Sequence, residues 1–205
     1  MPDHRRRVAF HEAAHAVAVW ALGLGIRAVS ITQRQHHAGI MLWDDEVPDR
    51  ELIDTTLPLP ALDPALRRWA ECRAVVALAG REGELLHVAL PAPDTPARTV
   101  LPGPETVRPP TPAGRDLRKL IEAADRPDTR TDAEQAAEAV WMVAADPEVQ
   151  AHHLALLRVV ARDLIRLHAE RVVRLADALL TAAEIEGPDA VAHIEGRHDA
   201  THPQA

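Results

Sequence analysis

Residues 5–23 read RRRVAFHEAAHAVAVWALG. Val8, His11, His15, Ala18 and Leu22 recur at intervals of three and four, which puts them on one side of an α-helix. Gly23 and Gly25 supply the stop. The spacing predicts a helix from about His4 to Leu22 whose core-facing stripe contains two imidazoles. Glu12 stands beside them, and apolar residues on both sides (Val8 to Phe10, then Ala16 to Val19) predict that this turn is buried. Unpaired imidazoles and a carboxylate are expensive in such a place, whereas a metal ion would use all three.

Working outward, residues 26–45, IRAVSITQRQHHAGIMLWDD, hold two β-prone runs: Val29 and Ile31 alternate, and Ile40 to Trp43 follow a gap containing Gly39. A small ribbon with a long connection is the expectation. A helix follows from Asp63, a capping residue, and Pro64, which suits a first helical turn; Gly80 should end it, with a second, less regular helix through GELLHVAL. Residues 91–112 are dense in proline and read as a long surface loop. A short helix should begin near Asp116, a capping box of Thr131 and Glu134 should open another, and a long periodic segment should run from Pro147 to about Leu180, broken near His152. Gly187-Pro188 reads as a turn before a last small helix.

The chain has 205 residues, no tyrosine, four tryptophans and one phenylalanine, which with its abundant alanine and leucine predicts a mainly α fold: a compact helical domain over residues 1–195, a small β ribbon near the first helix, and a disordered tail at 196–205. The net charge of -8, without long acidic blocks, argues against nucleic acid as a partner. The run Arg5 to Arg7 is too short to reverse that. Cys72 is the one cysteine, so neither an internal disulfide nor a cysteine zinc cluster can form, and a small core residue is the expected role. The apolar stretch from Ala13 to Ile26 contains His15 and is shorter than a membrane span, so a cytoplasmic location without a membrane segment is expected.

HEAAH at residues 11–15 is the spacing of a zinc hydrolase. Positions four apart lie one above the other on a helix, so His11 and His15 can bind one Zn2+ while Glu12 acts as the base toward a water the metal polarises. The competing reading makes both histidines ordinary half-buried polar residues and Glu12 a solvated acid. Two histidines leave a catalytic zinc one ligand short. Ala18 and Ala21 stand where the longer H-E-x-x-H-x-x-G-x-x-H pattern needs Gly and His, so a carboxylate from elsewhere is required: Asp116, Glu84, Glu82 and Glu122 are the options.

HEAAHA, preceded by RVAF, resembles the peptidase domain of the FtsH family of ATP-dependent zinc proteases, whose members carry HEAGHA. The resemblance continues through RAVSIT, LAGREGELL, GRDLRKLIEAA and the closing LIRLHAERVVRLADALLTAAEIEGPDAVAHI, covering about Arg7 to Ile194. It implies a mainly helical fold with a β element beside the site, His11 and His15 as zinc ligands, Glu12 as the catalytic residue and Asp116 as the third ligand. It also implies a polypeptide substrate, with a homo-oligomer possible. Ala14 replaces the motif glycine, and Ala79-Gly80 replaces a glycine pair. No G-x-x-x-x-G-K-[ST] occurs, so the chain resembles the peptidase part alone and any ATPase would be a separate partner. The expected function is a zinc metallopeptidase cleaving flexible polypeptide; the alternative is a non-catalytic binding or regulatory module that retains the peptidase fold, with or without its zinc.

Overall fold

A computed structural model describes residues 2–33, 38–45, 64–90, 131–144 and 146–197. Among them the chain order is α1 (Pro2–Ala21), β1 (Ile26–Ser30), β2 (Ile40–Trp43), α2 (Pro64–Ala89), α3 (Asp132–Trp141), α4 (Pro147–Leu167), α5 (Ala169–Ala182), β3 (Glu184–Glu186) and α6 (Gly187–Glu195). The mainly α expectation holds, with one small antiparallel sheet. No helix among the described residues is long and apolar enough to cross a membrane.

The first helix is the centre of the molecule. Ala9, Phe10, Ala13, Ala14 and every residue from Ala16 to Val19 are fully buried. Such all-round burial marks a helix packed on several sides, and α1 meets α2, α5 and the sheet at once. One apolar cluster joins α1 to β1, α5 and α6; a second lies between α2, α3 and α4. The two share α2, which gives Val76 and Ala79 to the first and Ala74, Val75, Ala77 and Leu78 to the second.

Three expectations are corrected. Gly80 does not end a helix: α2 runs unbroken for 26 residues. A methyl group at Gly83 would strike the Phe10 carbonyl and the Ala14 side chain at 2.6 Å, so this glycine serves close helix approach and not chain reversal. The long C-terminal segment breaks at His168, between α4 and α5, and not near His152. Gly187-Pro188 open α6 itself, with Pro188 in the first turn, where its missing N–H goes unneeded. Gly196, in the left-handed conformation at φ 71°, closes that helix. The proline-rich loop at 91–112, the short helix after Pro112 and residues 198–205 of the expected tail lie outside the described residues.

The sheet order is β2-β1-β3. Ser30 pairs with Ile40 on one side and with Glu184 on the other, so β1 is the central strand and β2 an edge. The end of β2 is pinned by acids just beyond it. Asp44 accepts from Arg27 Nε at 2.6 Å, while Asp45 accepts from Trp69 Nε1 at 2.9 Å and pairs with Arg73 of α2.

Candidate metal centre

His11 and His15 project from consecutive turns of α1, their rings edge to face with centroids 4.7 Å apart. Each imidazole is fixed from behind. His15 Nδ1 donates to the Val76 carbonyl at 2.7 Å, and His11 Nδ1 donates to Glu84 Oε1 at 2.9 Å, both on α2. Since each Nδ1 faces an acceptor, it carries the proton in the neutral ring, and each Nε2 presents a bare lone pair. Those two Nε2 atoms stand 3.0 Å apart.

The third group is Asp132. Its Oδ2 lies 3.0 Å from His11 Nε2 and 3.4 Å from His15 Nε2. Asp132 is the first residue of α3, directly after the cap Thr131, whose hydroxyl accepts from Glu134 N while the Glu134 carboxylate accepts from Thr131 N. The capping box was legible; that it aims the acid beside it at α1 was not. An acid in a first helical turn ordinarily reads as a partner of the helix dipole, and the one available signal was that the box fixes the side-chain direction at position 132. The expected ligand, Asp116, lies outside the described residues, as does Glu122. Glu84 is brought to the site, but behind His11, where it orients the ring. Glu82 is not among the residues lining the site.

Three acceptor atoms thus converge, with edges of 3.0, 3.0 and 3.4 Å. Ligand atoms on a tetrahedral zinc at its usual bond lengths are about 3.3 Å apart, so the donor set fits Zn2+ in both chemistry and spacing. No other cluster among the described residues brings three such ligands together. Without a metal, a proton must fill the gap. Burial pushes the His11 pKa down, but the hydrogen bonds and charges of Asp132 and Glu84 more than offset this and leave it raised. Asp132 is likewise opposed by burial, yet hydrogen bonds from His11 and His15 hold its carboxyl well below the usual range.

Glu12 is buried, and with the triad it lines a cleft of about 510 Å³. Burial, only partly countered by His15 and reinforced by Asp132, pushes its carboxyl up to about 7. The opposite wall is β2, all four of whose residues line the cleft. Gly39, just before that strand, passes so close that a methyl there would come within 2.7 Å of Glu12 Oε1. The floor is equally tight. A methyl at Gly80 would meet the imidazole of His15 and sit 2.7 Å from His11 Nε2, so α2 can approach the ligands only with glycine at this position.

The Ala14 methyl is accommodated because the facing residue on α2 is Gly83. Cys72 is half-buried on α2 rather than in the core, and burial raises its thiol. Compared with protein-family models and with curated proteins, the chain matches none.

Proposed function

We propose that the protein is a zinc metallopeptidase that cleaves flexible polypeptide. The observation that carries this reading is the convergence of His11 Nε2, His15 Nε2 and Asp132 Oδ2 on one point, three acceptors with no proton between them in the neutral state, beside a buried glutamate in an open cleft. Zinc held there would polarise a peptide carbonyl and lower the pKa of a water. Glu84 and the Val76 carbonyl keep the two imidazoles in the tautomer that binds. Glu12, as the carboxylate that a nearby cation favours, takes the proton of the attacking water and delivers it to the leaving nitrogen as the C–N bond breaks.

Substrate binding falls to β2. β1 cannot serve, because it is the centre of the sheet and both its edges are taken. β2 lines the cleft and has one side unpaired among the described residues, so an extended polypeptide can add to it through backbone hydrogen bonds. Backbone recognition of this kind accepts many sequences but needs them unfolded, and an unfolded substrate in the cytoplasm would come from a separate ATPase partner.

The test is cleavage of an unfolded protein, followed by mass spectrometry, with metal content measured on the same preparations. The wild type should hold one zinc and cut; Glu12→Gln should hold the zinc and not cut. A zinc-bound wild type without cleavage of any unfolded substrate would favour the binding module instead.

A further inference from the structure

One flank of α4 carries an apolar row that nothing among the described residues covers. Val149, Leu156, Val160 and Leu167 are 53%, 58%, 41% and 79% exposed. At about 100° per residue the four fall within about 40° of one another. They lie beside the face through which Leu157, Ala161 and Ile165 enter the core. The helix therefore has two apolar faces and one covering.

The spacing of the row identifies what fits it. Its intervals run seven, four and seven, the same read in either direction about residue 158. A second copy of α4 laid antiparallel across the first therefore sets Val149 against the other copy's Leu167, and Leu156 against the other copy's Val160, each twice by symmetry. The row spans about 27 Å, enough for a continuous seam.

Charge selects the same arrangement. Glu148, His152, Asp163 and Arg166 are exposed and share the outer flank of the row. In a two-fold antiparallel pair, residues on the same flank at opposite ends face each other. Glu148 then meets the other copy's Arg166, and His152 the other copy's Asp163. A parallel two-fold pair would put the outer flanks of the two copies on opposite sides of the seam, so that none of these charges would meet its counterpart.

We propose that this face of α4 is the interface of an antiparallel two-fold homodimer. None of the residues lining the cleft lies on α4, so the dimer leaves both sites open.

Sedimentation of the full chain over a range of concentrations tests the dimer. Leu156→Glu should weaken it about thirtyfold or more, as expected for a charge placed at the centre of a seam. Glu148→Arg should also weaken it, and adding Arg166→Glu should restore it; this pair decides the matter if Leu156→Glu unfolds. In a Cys72→Ser background, Val149→Cys protein mixed with Leu167→Cys protein should cross-link, while neither should link to itself. A monomer at every concentration would overturn the proposal, whether the row is bare or covered by the protein's own residues 91–130. So would a dimer indifferent to these changes, or Val149→Cys copies that link to each other.

Discussion

Asp132, half-buried, and Glu12, buried, share one cleft, yet their environments push their carboxyls in opposite directions. Asp132 faces two imidazoles and stays charged; Glu12 is buried and holds its proton to about pH 7. If Asp132 is the third ligand, Asp132→Ala should reduce zinc affinity more than about a hundredfold, beyond what loss of an orienting group does. Asp116→Ala should leave it unchanged. Metal content by mass spectrometry checks both, and the opposite pattern would return the assignment to Asp116. Glu84→Gln, which still accepts from His11 Nδ1 but loses its charge, should cost about tenfold in affinity.

Glu12 also gives the metal-free protein a pH dependence. In the unfolded chain its carboxyl ionises near pH 4.5, in the folded protein near 7. Between these values the folded state holds the extra proton, so stability falls as pH rises, by up to about 3 kcal/mol in all. Denaturant melts of metal-free protein should show that decline, and Glu12→Gln, neutral throughout, should lose it. Zinc should flatten it as well, because a nearby cation favours the carboxylate. At this scale HEAAH was legible because its three groups fall close together in sequence on one helix. Asp132 was not, because its role depends on α3 docking against α2, which brings it to histidines more than a hundred residues away in sequence.

Between elements, the decisive fit is α1 against α2. A glycine within a helical pattern reads as a stop, since it is weak inside a helix. Gly80 and Gly83 stay within α2 because each stands where α1 comes too near for a side chain. Packing overrides propensity, and that packing is invisible until both helices are placed. Gly83→Ala should destabilise by about 1–3 kcal/mol, the range for forcing a methyl into a filled core. Combining it with Ala14→Gly should recover part of the loss, since the two positions face each other; a double-mutant cycle in denaturant gives the coupling. Gly80→Ala should instead act on the site, lowering zinc occupancy by displacing the imidazoles. The strands show the same limit. Both runs of the ribbon were readable as β-prone, but β1 is central only because a three-residue strand, Glu184–Glu186, returns from far along the chain to its other side.

For the molecule as a whole, a ligand that binds only the folded state raises its melting temperature with ligand concentration. Zinc should do so, and a chelator should reverse it, with Asp132→Ala insensitive to both. The three acceptor atoms come from α1 and α3, which lie in different apolar clusters. A cation on them would therefore act as a removable cross-link across the boundary between those clusters, closing a loop of more than a hundred residues. Closing so long a loop is entropically unfavourable for a bare chain and is offset once the bridge forms. Slow hydrogen exchange at the backbone amides of α3 should then depend on metal far more than at those of α5, which packs on α1 within the first apolar cluster. An ion bound there would then also set which half of the protein opens first.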